Sequence, residues 1–433
     1  MKSKLTYLSI LAVVVEIFLH AQTPQHLIAI RCGRLIDGRS DAPLSNATVL
    51  VRGDRIDKVG IGIEAPPDAE AIDLSTATAL PGLIDSHTHI LLQGDITAAD
   101  YDEQLLKESI PYRTIRATVA AKTALMNGFT ALRDLETEGA MYADVDVKTA
   151  INRGIIPGPR LFVATRALSA TGMYPLQGYS WELRVPQGVQ IVDGAENLRK
   201  AVREQVQYGA DWIKFYADRR YYLNDEGALR SWVNFTEEEM KALVNEAHRL
   251  GKKVAAHAMG RDGIEGALKA GADTIEHGDG LDDEMMDLMV RRGVYWCPTI
   301  YVGVYVAQGR AQTGAPIWMK MIELEKEAFA KALKKGVRIA FGTDAGGFAW
   351  TENQAKEFSY MVSYGMSPMK AIQSATRVAS ELLGQEHNLG TIAAGQYADI
   401  IAVTADPLKD ISQLQNVKFV MKAGVVYRND LAR

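Results

Sequence analysis

Cysteine is nearly absent: Cys32 and Cys297 are the only two in 433 residues. So few, so far apart, make no disulfide framework, and Cys297, within "VYWCPTI", reads as a core residue. A basic excess is also missing. The formal net charge is −5 and no basic cluster is visible, which argues against nucleic acid or an anionic membrane surface as a partner. After residue 21 no apolar run is long enough to cross a bilayer. Low-complexity segments and fixed-period repeats are lacking. No G-x-G-x-x-G follows an early strand, which counts against a dinucleotide-binding, doubly wound sheet. No G-x-S-x-G elbow is present, so a serine nucleophile on such an elbow is not expected.

What remains is ordinary globular composition, 47% hydrophobic and 23% charged. Residues 1–21 have the pattern of a secretory signal peptide: Lys2 and Lys4, an apolar stretch from Leu5 to Leu19, and the small Ala21 for cleavage. The expectation is a periplasmic or secreted protein with no membrane attachment after cleavage. Residues 22–80 carry short β-like runs punctuated by Gly, Asp and Pro, and residues 386–433 return to the same style. Both flanks are expected to build one small β-sandwich.

Between them, residues 81–385 alternate apolar strands with amphipathic helices. The strand candidates are "ALPGLIDSHTHI", "FTALRDL", "PRLFVAT", "DWIKFYA", "KKVAAHA", "DTIEHG", "VYWCPTI" and "VRIAFGTDAG". Helices are expected near 113–127, 195–209, 236–251, 262–271 and 320–336, several ending in glycine. Eight such units predict an α/β fold, a (β/α)8 TIM-like barrel. Residues 168–194 and 301–318 read as long loops on the face where barrels keep their active sites. Tyr174, Tyr179, Trp181, Tyr301 and Tyr305 would line an aromatic pocket there.

The chemistry sits at strand ends. "SHTHI" gives His87 and His89, whose i, i+2 spacing puts both side chains on one strand face. "AAHA" gives His257, "IEHG" gives His277 and "GTDAG" gives Asp344. Four of the eight histidines thus fall at the ends of apparent barrel strands, with an aspartate, which is a metal-ligand set. Lys214, in "DWIKFYA", shares a strand face with Trp212 and Tyr216. A lysine there either loses its charge by burial or pairs with a carboxylate such as Asp134. A neutral lysine amine can add CO2 to give a carbamate, an anionic oxygen ligand able to bridge two metals. Tyr216 on the same strand face, with Arg219 and Arg220 in the loop that follows, would clamp a substrate carboxylate.

"LPGLIDSHTHI", "DWIK", "AAHA", "IEHG", "FGTDAG" and "LGTIAAGQYADIIAVTADPL" resemble the amidohydrolase superfamily, over residues 27 to 427. Within it the chain looks most like the Xaa-Pro dipeptidase-like and imidazolonepropionase-like branch, which includes metal-dependent carboxypeptidases and ochratoxin-degrading amidohydrolases. The resemblance implies two divalent ions, usually zinc. His87, His89 and Asp344 would hold the more buried ion, His257 and His277 the more exposed one, and carboxylated Lys214 with a hydroxide would bridge them. Asp344 would take the hydroxide's proton and deliver it to the leaving nitrogen. The expected activity is hydrolysis of the C-terminal amide of dipeptides or N-acyl amino acids, ochratoxin A-type amides included. A homo-oligomer, up to an octamer, is implied too. Two other readings stay open. One is a mononuclear cyclic amidohydrolase or deaminase using Asp262 or Asp279; the other is a non-catalytic binding barrel.

Overall fold

The computed structural model describes residues 26–174, 176 and 178–432; the expected signal segment lies outside the described residues. Strands β1 (Leu27–Leu35), β2 (Leu44–Arg52), β3 (Arg55–Ile61) and β4 (Glu70–Pro81) come first. The middle of the chain contributes β5 (Leu83–Thr88), β6 (Phe129–Asp134), β7 (Arg160–Val163), β8 (Leu168–Ser169) and β9 (Gln190–Ile191). Next are β10 (Trp212–Tyr216), β11 (Asp218–Leu223), β12 (Leu229–Val233) and β13 (Lys253–Ala258). Then follow β14 (Thr274–His277), β15 (Tyr295–Cys297) and β16 (Arg338–Ile339). The last three are β17 (Ile400–Val403), β18 (Phe419–Lys422) and β19 (Val425–Asn429).

The two chain ends share one sheet, in the order β19-β18-β17-β4-β1-β2-β3. The join is the antiparallel pair β17–β4, where Ile401 faces Leu80. Alternating residues Ile28, Ile30 and Cys32 of β1 and Ala47, Val49 and Val51 of β2 enter a core of their own, with Ile400, Ala402 and Phe419 from the far end. Hydrogen bonding joins all seven strands into one continuous mixed sheet.

Each of the eight segments expected as barrel strands carries a strand: β5, β6, β7, β10, β13, β14, β15 and β16. All pair in parallel, in one sheet ordered β16-β15-β14-β13-β10-β8-β9 and another ordered β5-β6-β7. Backbone bonds link their edges. Ser86 N donates to Phe341 O (2.9 Å) and Asp344 N to His87 O (2.7 Å); Asp211 N donates to Val163 O (2.8 Å). Helices follow the strands where the apolar period predicts them, such as Ala195–Gln207, Glu237–Arg249 and Arg261–Ala270. Glu237–Arg249 opens with a reciprocal Thr236/Glu239 capping box. Gly271 and Gly336 end their helices at φ 98° and 76°, a conformation that favours glycine. Among the described residues no helix is long and apolar enough to cross a membrane.

Two expectations are corrected. Residues 301–318 are not a loop: a helix spans Ile300–Gln312. Its first amides, Ile300 N and Tyr301 N, donate to the Glu357 carboxylate at 2.9 and 2.7 Å, so a distant acid caps a Val- and Tyr-rich run that locally favours strand. Arg219 and Arg220 are likewise not in a loop. They lie on β11, which forms an antiparallel hairpin with β12.

Candidate active site

The C-terminal ends of the parallel strands converge on a cavity lined by His87, His89, Lys214, His257, His277 and Asp344. Asp85, two residues before His87 and fully buried, anchors the opposite segment. It accepts from Thr343 N (3.0 Å), Thr343 Oγ1 (2.5 Å) and Gln354 Nε2 (2.5 Å). The Asp344 turn is thereby pinned to β5. His277 and Asp344 both sit in the left-handed region, at φ 69° and 59°. Non-glycine residues pay about 1–3 kcal/mol for such geometry, which clusters at functional sites. At Gly346 a Cβ would fall 2.3 Å from His89 O, so only glycine lets the turn close over β5.

Asp344 Oδ1 lies 2.9 Å from His89 Nε2 and 3.6 Å from His87 Nε2, and these three residues offer ligand atoms within 4.8 Å of one another. The His87 and His277 rings are 5.0 Å apart, and those of His257 and His277 4.6 Å. Each imidazole is held by an outer partner on one nitrogen. His87 Nδ1 meets Glu276 Oε2 (2.8 Å), His277 Nδ1 meets Thr299 Oγ1 (2.8 Å) and His257 Nε2 meets the Tyr221 hydroxyl (2.7 Å). Glu276 is itself bound by Arg133 Nη2 at 2.8 Å. Carboxylate–histidine pairs of this kind fix ring tautomer and orientation at metal centres.

Electrostatics follow from burial. It lowers His87 and His257, and takes His277 down to about 4. Neutral imidazoles with a free lone pair result. For His89 burial works downward, but the bond to Asp344 prevails and raises it to about 10. Burial would raise Asp344, yet His87 and His89 hold its carboxyl well below the usual range. His87 Nε2 has no hydrogen-bond partner among the described residues. With four imidazoles and a carboxylate around one cavity, that orphaned nitrogen fits a divalent ion.

Lys214 is 1% exposed and makes no hydrogen bond or ion pair with any described residue; its Nζ lies 5.7 Å from the Tyr216 ring centroid. Pairing with Asp134 is not seen. Asp134 instead accepts from Ile90 N at 2.7 Å and Thr88 Oγ1 at 3.4 Å. Burial lowers the pKa of the amine, against the pull of Glu276, Glu136 and Asp344.

The substrate residues separate. The Arg219 guanidinium faces the cavity, stacked 4.4 Å from the Tyr174 ring and 5.4 Å from that of Tyr216; among the described residues no carboxylate is in ion-pair contact with it, and Asp95 acts on it only from a distance. Arg220 is exposed, donates to Gly172 O at 3.0 Å and does not line the inner cavity. Tyr216 lines it, but its hydroxyl donates to Glu136 at 2.6 Å. Of the expected aromatic wall only Tyr174 is present. Tyr179 and Trp181 are exposed, while Tyr301 packs on Phe348 and Tyr305 next to it. Asp262 is paired with Arg230 away from the cavity, whereas Asp279 lines it. Glu136 and Glu138, overlooked in the sequence, form a second group with His89 within 4.8 Å; the signal was the "LETEG" directly after β6.

A family model described as the amidohydrolase family matches residues 78–427. The chain belongs to the amidohydrolase family. It is a hydrolase of the class acting on C–N bonds. It is similar to the ochratoxinase of Aspergillus niger, 32% identical over 430 residues, covering 92% of this chain and 86% of that protein. Among solved structures it is similar to a Xaa-Pro dipeptidase with bound methionine in the active site (TM-score 0.84, 36% identity, 93% of this chain and 100% of that one). A prolidase complexed with N-methylphosphonate-L-proline aligns at TM-score 0.83, with 27% identity over 93% of this chain and 100% of that one.

Proposed function

We propose that this protein hydrolyses the C-terminal amide bond of dipeptides or N-acyl amino acids, using two divalent ions, with zinc as the metal. The observation that carries the reading is Arg219: an unpartnered cation in the same cavity as the histidine cluster and Asp344. A free carboxylate one residue beyond the scissile amide would sit on it, and the stacked Tyr174 and Tyr216 rings keep the guanidinium in place. The similarity to a Xaa-Pro dipeptidase and an ochratoxinase supports the same class.

His87, His89 and Asp344 would hold one ion, and His257 and His277 the other. Lys214 would join them as a carbamate: its neutral amine would add to the carbon of CO2 and lose a proton, giving an anionic oxygen ligand. The ions' contribution, when bound, is a lowered pKa for water and polarisation of the substrate carbonyl. Asp344, kept ionised by the adjacent imidazoles, accepts the proton of the attacking water and passes it to the leaving nitrogen. Glu276 holds His87, and Thr299 holds His277. The reading extends to a closed eight-stranded barrel beside a β-sandwich, export after cleavage at Ala21, and a homo-oligomer as large as an octamer.

The test is Asp344→Asn. The variant should fold and keep part of its metal while losing most turnover of dipeptides. Near-normal kcat would show that Asp344 moves no proton.

A further inference from the structure

Of the carboxylates on the cavity wall that have no part in the chemistry above, two lack an ion-pair partner among the described residues. Asp279 lies two residues beyond His277, is 7% exposed, and its Oδ2 has no hydrogen-bond partner among the described residues. Glu325, on the helix Ile317–Lys335, is 3% exposed and makes no hydrogen bond or ion pair with any described residue. Both line the inner cavity. A buried carboxylate without a partner is costly to keep. Burial, and then the nearby Asp279, push the Glu325 carboxyl well above the usual range. The cavity's own cations are placed elsewhere. Arg310 lies 3.3 Å from Asp95 and 4.1 Å from the Trp318 ring. Arg219 stacks on Tyr174, and neither it nor Lys214 forms an ion pair with Asp279 or Glu325.

We infer that Glu325 and Asp279 bind a cationic group, an ammonium, on the acyl side of the scissile amide. This rests on the amide-hydrolase reading. With the substrate carboxylate on Arg219 and its carbonyl over the histidines, the acyl half extends along the remaining wall. There Met259, Val302 and Val306 supply apolar surface and the two acids supply carboxyl oxygens. A neutral acyl group would strip water from both acids and return nothing. An ammonium would satisfy them, whether it is the α-ammonium of a dipeptide or the side chain of a lysine-like acyl residue.

Three substrates separate these cases on the metal-loaded enzyme. Glycylphenylalanine carries the α-ammonium, N-acetylphenylalanine is the same molecule without it, and Nα-acetyl-lysylphenylalanine carries only the side-chain cation. At least one cationic substrate should exceed N-acetylphenylalanine in kcat/KM by roughly tenfold or more, the scale of one hydrogen bond to a charged group. Glu325→Gln should collapse that ratio toward one, and Asp279→Asn should lower it. Calorimetric dissociation constants of non-hydrolysable ketomethylene analogues, with and without the amine, should follow the same order and read binding without turnover. Equal kcat/KM for all three substrates in the wild type would overturn the inference while leaving amide hydrolysis standing. So would a Glu325→Gln variant that loses all three in equal proportion. If none of the three is cleaved, the amide-hydrolase reading falls, and the analogue affinities alone decide whether the acids bind an ammonium.

Discussion

Glu276→Gln removes the negative charge from a network that is fully buried. One carboxylate oxygen accepts from Arg133 Nη2 and the other faces His87 Nδ1, both at 2.8 Å, and both partners are 0% exposed. A glutamine has one acceptor oxygen and an amide group that donates. Its oxygen can accept from Arg133, but its amide can donate to His87 Nδ1 only in the tautomer protonated on Nε2, the nitrogen a metal needs, and it leaves the guanidinium without a counterion. Removing one member of a buried pair costs about 3–5 kcal/mol. The loss should appear in urea unfolding of the metal-free protein, where no ligand masks it. His87 also loses the group that orients it, so zinc affinity should fall about ten- to hundredfold in a competing-chelator titration. Combining Glu276→Gln with Arg133→Met takes both charges out of the interior. The double variant should recover much of the stability but not the metal affinity. An unfolding midpoint equal to the wild type for Glu276→Gln would refute the reasoning, as would a double variant showing simple additivity.

Lys214→Ala should lose metal and turnover, and added acetate or propionate should restore part of both by occupying the vacated space; full metal occupancy with normal kcat would remove Lys214 from the centre. Arg219→Gln should raise KM for carboxylate-bearing substrates about ten- to hundredfold, whereas Arg220→Gln, whose side chain reaches Gly172 outside the cavity, should leave KM near the wild-type value; steady-state kinetics on one dipeptide compares them. Glu357→Ala should cost about 0.5–2 kcal/mol through the lost cap on Ile300–Gln312, seen as a lowered unfolding midpoint.

The cluster at the strand ends was legible because a strand alternates sides. The i, i+2 spacing of His87 and His89 and the shared face of Trp212, Lys214 and Tyr216 follow from local geometry alone. The eight strands announced themselves by apolar runs ending in polar residues. What was not legible depends on distant partners. The helix after Thr299 is capped by Glu357, far along the chain, so its Val- and Tyr-rich sequence misled. Whether Arg219 or Arg220 faces the cavity is set by the β11–β12 register, including a bulge between Asp218 and Arg220. Tyr301 and Tyr305 turned out to pack within the core because they ride on that unexpected helix. Glu325 shows no motif at all; only the packing of its helix against the cavity reveals it.

The most direct test is metal analysis of the purified protein together with its turnover of dipeptides and N-acyl amino acids. About two divalent ions per chain are expected, with mass added to Lys214 by carboxylation and cleavage that stops when the C-terminal carboxylate is amidated or a chelator is added. One ion per chain, an unmodified Lys214 and turnover confined to cyclic amides or ring amines would contradict this.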